Sequence, residues 1–282
     1  MYPALQPGAV GIRATLTEGL ELASEYGFEG LYVNMAEVAE RGPSSVRKLF
    51  EAKGLRPGAW GFPVDVRGDE ARYEQDLEGL PRLADAAREL GCLRTSTYIL
   101  SFSDELPFAE NFERHRKRLR DVAQILSERD IRLGLEFLGP KTLREGHRYE
   151  FIHTMDGMLE LCDRIGTGNV GLLLDCWHWY TAGGTVDDLR RLEDANVVDV
   201  HVNDAPAGIP VDEQIDNVRC MPGETGVIDI GGFLRALDEI GYTGPVMAEP
   251  FSKKVQGLTA QQAAQATAEA MRAIWRKAGL ER

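Results

Sequence analysis

The chain has 282 residues, 43% of them hydrophobic, a formal net charge of −13 and a sequence pI near 4.9. That length and apolar content can bury a large core, and one domain over residues 1–282 is the expectation. The acidic balance argues against a nucleic-acid or anionic-membrane partner, because phosphate binding relies on Lys and Arg displacing counterions.

Short apolar or β-branched runs alternate along the chain with longer segments of helical periodicity. AVGI (9–12) is the first predicted strand, followed by a helix over TEGLELASEYG. GLYVN then precedes SSVRKLFEAKG, and PGAWGFPV precedes a long helix ending in LADAAREL. TSTYIL leads to a helix over 108–129, LGLEFLG to DGMLELCDRIG, VGLLLDCWH to TVDDLRRLED, and VDVHVND to IGGFLRALDEIG. PVMAEPF and a final helix over 259–277, rich in helix formers, complete the series. Eight such units without a low-complexity block or Pro/Gly/Ser-rich linker predict a single (β/α)8 TIM barrel rather than an open doubly wound sheet.

Cys92, Cys162, Cys176 and Cys220 show no CxxC spacing, so reduced thiols and a cytoplasmic location are expected. MYPALQPGAVGIRA lacks the basic-then-apolar pattern of a secretory signal, and no stretch reaches membrane-spanning length.

In the second half, four predicted strands end in a potential metal ligand: Glu136 in RLGLEFLG, Asp175 in NVGLLLDCWH, His201 in VVDVHVND and Glu249 in GPVMAEPF. A carboxylate in an apolar strand is expensive to bury unless it is paired or bound to a cation. Three carboxylates and an imidazole recurring at successive strand ends read as one divalent-metal site. Simpler readings exist for each alone. Glu136 and Glu249 could pair with Arg132 or Arg94, Asp175 could cap the next turn, and His201 could be a hydrogen-bonded core histidine.

Two connections are long, 139–153 and 204–227. Both follow ligand-bearing strands, and in a barrel both would cover the catalytic face as substrate-contacting lids. Trp60 and Tyr98, near the ends of the third and fourth strands, read as core packing before they read as a wall for a sugar ring.

Glu136, Asp175 followed by His178 in DCWH, His201 in HVND, the element PGETGVID, and Glu249 in AEPF together resemble the xylose isomerase-like barrel superfamily, in particular its sugar (or sugar phosphate) isomerase/epimerase branch. The resemblance covers most of the chain and implies one divalent ion on Glu136, Asp175, His201 and Glu249. Mn2+ is the first expectation, and Mg2+, Co2+ and Zn2+ suit the same mixed O/N set. It further implies that Glu136 and Glu249 exchange protons with a small polyhydroxylated carbonyl substrate through a metal-stabilised enediolate. His178 would hydrogen-bond a substrate oxygen, and Arg219 would sit near the metal-bound oxygens. Lys141 could hold a carboxylate or phosphate of the substrate. Barrels of this group commonly form dimers or tetramers.

Competing assignments stay open for several of these residues. His178 could pack among Trp177, Trp179 and Tyr180, Arg219 could pair with Asp216 or Glu213, and Lys141 could be merely solvated. PGETGVID reads mainly as a shaper of the lid, with Asp229 as a helix cap and Glu224 as a further ligand contact. The metal-dependent nuclease branch uses additional histidines on earlier strands, whereas no histidine here precedes His115. Two alternatives survive: a dehydratase or β-eliminase on a keto-inositol, keto-sugar or 3-dehydroshikimate-like compound, and a sugar-binding barrel without turnover.

Overall fold

A computed structural model describes residues 1–280. Eight parallel strands, numbered here β1 to β8, close into a barrel: Tyr2–Leu5, Gly30–Val33, Arg56–Gly61, Arg94–Ile99, Arg132–Phe137, Val170–Asp175, Val197–Val202 and Pro245–Ala248. Each strand lies beside its sequence neighbours, and β8 closes on β1 through Tyr2↔Pro245 and Pro3↔Val246. Strands covered on both faces need continuous apolar runs, and β7 (VVDVHV) is buried at every position. The chain is thus a (β/α)8 TIM barrel.

Helices surround the strands, and their ends follow from local chemistry. Thr15 with Glu18 and Thr259 with Gln262 form reciprocal capping boxes for helices Leu16–Glu25 and Ala260–Ala278. Asp229 caps Ile230–Glu239 by accepting from the Gly232 N–H, as its position before IGGFLRAL predicts. Long helices at Glu70–Leu90 and Phe108–Ser127 turn Leu80, Ala84, Leu119, Val122 and Leu126 into the core. Among the described residues, no helix is long and apolar enough to cross a membrane.

Three expectations are corrected. Residues 9–12 are not the first strand: Pro7–Val10 forms a 3-10 turn that ends on Gly11 in the left-handed region, and YPAL before it supplies β1. TVDDLRRLED forms a helix only over Val186–Leu189, and the segment CWHWYT, directly after β6, is itself helical over Cys176–Thr181. An additional helix, Met35–Arg41, capped by Asn34, fills the connection after β2.

The lower, N-terminal end of the barrel is closed by arginines. Arg94 donates to the Val198 carbonyl at 2.7 Å, and Arg132 donates to the carbonyls of Asp194, Ala195 and Val197 at 2.8–3.1 Å. Inside the barrel, Asp199 accepts from the Tyr32 hydroxyl and from Ser96 Oγ at 3.0 Å.

At the upper end lie the two lids. The first carries the short helix Lys141–Arg144 and the strand Tyr149–Glu150, which pairs antiparallel with Phe102–Ser103. The second is pinned at its base by Asp204, whose backbone pairs with Cys220. The buried Asp204 carboxylate accepts from four amides: Ala205 (2.9 Å), Ile228 (3.0 Å), Thr225 (2.9 Å) and Gly226 (2.7 Å). The lids also hold each other, Thr142 Oγ1 donating to the Gln214 carbonyl at 2.7 Å and Lys141 reaching Asp212 at 3.3 Å.

Candidate metal centre

Glu136, Asp175 and His201 reach the upper end of β5, β6 and β7, and Glu249 follows β8 directly, its N–H donating to the Val202 carbonyl at 3.0 Å. Parallel register sets Asp175 beside His201 and Met247 beside His201. One ligand atom from each of the four side chains lies within 4.8 Å of the others. The sequence reading placed these residues at four consecutive strand ends, and the closed barrel makes those ends neighbours.

Each side chain is held by its surroundings. Asp175 is the N-cap of Cys176–Thr181, so its Oδ1 accepts from the Trp177 N–H at 2.7 Å and from Asn203 Nδ2 at 3.0 Å. The capping reading of Asp175 is therefore correct, and it leaves Oδ2 facing the cluster. Arg94 and Arg132 sit at the opposite end of the barrel, bound to carbonyls, so neither neutralises Glu136 or Glu249.

Arg219 enters from the second lid and is almost fully buried. It donates to Asp175 Oδ2 at 2.7 Å, Asp216 Oδ1 at 2.8 Å and Glu249 Oε2 at 3.2 Å. The expected pairing with Asp216 exists, as part of a larger network. His178 is also buried; its Nε2 lies 3.8 Å from Glu136 Oε1 and 3.7 Å from Asp216 Oδ1. Its Nδ1 accepts from the Gly139 N–H at 3.2 Å, and its Nε2 lies 3.3 Å from Arg219 Nη2, facing the cluster.

Burial, then the Asp175 and Glu249 carboxylates, push Glu136 well above the ordinary carboxylate range. Burial also raises Asp175, partly opposed by Arg219. Desolvation would raise Glu249, but His201 and Arg219 overcome it and hold this acid below its usual value. His201 reverses the pattern: burial would lower it, yet Glu249, Asp199 and Glu136 lift it to about 10. Burial and the charge of Arg219 keep His178 well below the usual histidine range.

Two buried atoms of the cluster, Glu136 Oε1 and His201 Nδ1, find no hydrogen-bond partner. The His201 Nδ1 contact to Glu249 Oε2, at 3.5 Å, is too loose to satisfy it. Orphaned buried donors and acceptors are destabilising, and an excess of carboxylates over cations is more so. One imidazole and three carboxylates converging on unsatisfied space fit a divalent cation with mixed O/N preference.

Other expected residues fall outside the cluster. Lys141 is exposed and engaged by Asp212 (3.3 Å) and Glu145 (3.6 Å). Glu224 accepts from the Met221 N–H within its own turn. Trp60 packs in the core, but Tyr98 does not: it is 43% exposed, with the Arg67 guanidinium 4.0 Å from its ring centre. Asn203 and Asp204 escape the sequence reading, and Asp216 enters it only as a pairing partner of Arg219. Asn203 and Asp204 belong to HVND, where the contrast with the preceding apolar strand is a usable signal; the approach of Asp216 to His178, at 3.7 Å, has none in a polar loop.

The chain matches the xylose isomerase-like TIM barrel model over residues 20–276. It belongs to that family. A solved xylose isomerase domain protein from Alicyclobacillus acidocaldarius superposes with a TM-score of 0.88 at 32% identity, covering 99% of both chains. An inosose isomerase from Halalkalibacterium halodurans is 23% identical over 256 residues, 89% of this chain and 88% of the relative. A 3-dehydroshikimate dehydratase from Pseudomonas aeruginosa is 27% identical over 253 residues, which are 86% of this chain but only 37% of that relative. The family relatives named here are enzymes of isomerase and dehydratase type.

Proposed function

We propose that the chain is a divalent-metal-dependent isomerase or epimerase of a small polyhydroxylated carbonyl compound. The observation that carries this reading is the pair of glutamates, Glu136 and Glu249, which share one four-residue cluster with Asp175 and His201 at the upper end of the barrel.

Glu136, Asp175, His201 and Glu249 would hold the ion, with Mn2+ as the first candidate, and a bound cation supplies a Lewis acid that polarises a carbonyl and offsets developing negative charge. Asn203 and the Trp177 amide orient Asp175, leaving one of its oxygens toward the site. Glu249 takes a proton from the carbon beside the carbonyl and later sheds it to solvent, while Glu136, ionised where it ligates, takes up a solvent proton and returns it from the other side. His178 would hydrogen-bond a substrate oxygen. Arg219 fixes Asp175 and Glu249 relative to each other and, through Asp216, ties the second lid to the site. The two lids exclude water from above. All four cysteines are free and three are buried, which supports a reducing, cytoplasmic setting.

The likeness to the dehydratase favours one second reading, in which the same deprotonated carbon expels a neighbouring hydroxyl. Proton NMR in D2O separates the two. With Mn2+-loaded protein and a panel of ketoses and keto-inositols, loss of the α-proton signal with an inverted or rearranged product is expected. A vinylic product would transfer the assignment to a lyase, and no exchange in any member would sink the proton-transfer reading.

A further inference from the structure

The lower mouth of the barrel holds a second concentration of charge, of the opposite sign to the metal cluster. Arg56, Arg94 and Arg132 are the first residues of the consecutive strands β3, β4 and β5, and parallel register sets Arg94 directly beside Arg132. All three line a cavity of about 440 Å³, together with Tyr2, Asp130 and Thr243. Closing the barrel uses only part of these guanidiniums. Arg94 donates to the Val198 carbonyl from Nη1 alone, and all three carbonyl bonds of Arg132 leave from Nη2. Among the described residues, Nε and Nη2 of Arg94 and Nε and Nη1 of Arg132 make no hydrogen bond, and Arg94 makes no ion pair.

The carboxylates nearby are engaged by other groups. Glu29 pairs with Arg56 at 2.6 Å and Asp130 with Arg88 at 3.1 Å. Asp194 accepts from the Thr243 N–H at 3.1 Å and stays 3.7 Å from Arg132 Nη1. Asp199, deeper in the barrel, is turned to Tyr32 and Ser96. Burial, and then the like charge of Arg94, lower Arg132 from the usual arginine range. Two guanidiniums held side by side with donors to spare repel each other. An anion between them relieves that repulsion, and the planar fork of each matches two oxygens of a phosphate.

We propose that the lower mouth of the barrel binds a phosphate group, free or on a small ester, between Arg94 and Arg132, with Arg56 at the rim. The site lies at the opposite end of the strands from the metal cluster and does not depend on the function assigned to that cluster. A phosphate held there ties the starts of β4 and β5 together and stabilises the folded chain by its own binding energy.

The test is calorimetric titration of the full chain, without added divalent ion, with inorganic phosphate and with glycerol 3-phosphate. One saturable site is expected, with Tm rising as it fills and affinity falling as salt is added. Equal affinities mean that the phosphate alone is read, and tighter binding of the ester means that the cavity also takes its carbon skeleton; both support the site. Arg94→Gln should weaken binding at least tenfold. Because Arg94 also helps to close the barrel, its circular dichroism is checked, and Arg56→Gln, at an exposed side chain, should weaken binding about threefold with the fold kept. Lys253→Ala, at the upper end of the barrel, should change nothing. No saturation by about 10 mM, where even a millimolar site is mostly filled, would overturn the proposal. So would binding that survives both arginine replacements, or binding that is lost with Lys253→Ala.

Discussion

Replacing Asp204 by Ala should release the second lid. Its carboxylate accepts from four amides, and two of these, on Ala205 and Ile228, belong to residues that are fully buried. Orphaning a buried amide costs roughly 1–3 kcal/mol, whereas the amides of the exposed Thr225 and Gly226 can turn to water and forfeit about 0.5–1 kcal/mol each. The total is about 3–8 kcal/mol, a large share of the roughly 5–15 kcal/mol that separates most folded domains from the unfolded chain. Asp204→Asn keeps the volume and one acceptor oxygen for the Ala205 and Ile228 amides but sets an NH2 donor against those of Thr225 and Gly226, so it should cost less than Asp204→Ala. Urea unfolding gives the global figure, and hydrogen exchange at Ala205 and Ile228 reports the lid alone. If Asp204→Ala unfolds within 1 kcal/mol of the parent and those amides stay protected, the four-bond anchor is not what holds the lid.

Glu249→Gln should lower turnover by roughly 10²–10⁴-fold, the usual contribution of a general base, while leaving the circular dichroism spectrum unchanged; an unaltered rate would refute the assigned base. Ion binding should release protons, because Glu136 and Asp175 are both raised and must be deprotonated to ligate. Affinity for Mn2+ therefore climbs with pH, and calorimetry in buffers of different ionisation heat should show net proton release; none would contradict the raised acidities. By the same linkage, the ion-free chain loses stability as pH rises above the ordinary carboxylate range of about 4. His115 supplies a pH response of opposite direction, away from the site. It is buried, its Nδ1 bonds to the Asn111 carbonyl, and burial lowers it from 6.5 to about 4. A depressed folded value means stability is complete above pH ~6.5 and is lost as pH falls toward 4, by on the order of 3 kcal/mol at most. His115→Leu should flatten that part of the stability profile, and an unchanged slope would show that another group carries it.

The barrel was legible because its strands are apolar runs bounded by turns, and the four ligands stood out as polar interruptions of those runs. β1 escaped because Pro3 and Pro7 break the pattern that marks a strand. Pro3 is tolerated there because its carbonyl still accepts from Glu29 N–H, while the adjacent Tyr2 N–H donates to the Gly244 carbonyl. Helical periodicity in TVDDLRRLED is realised only over Val186–Leu189, where Leu189 is buried, and nothing local marks so early an end. Asp175 itself combined the two roles that were set against each other in the sequence, since one oxygen caps and the other faces the cluster. Asp216 was legible only as a partner of Arg219, and its place beside His178, 3.7 Å from Nε2, depends on how the lid folds over the cluster.

The bonds from Thr142 to Gln214 and from Lys141 to Asp212 join two segments that are some seventy residues apart in sequence. Two loosely attached flaps would open independently, and a ligand could leave through whichever moved first. Bound together, they form one door, and residence time beneath it follows a single opening event. A change on either segment, however far from the carboxylates, then alters the traffic through both.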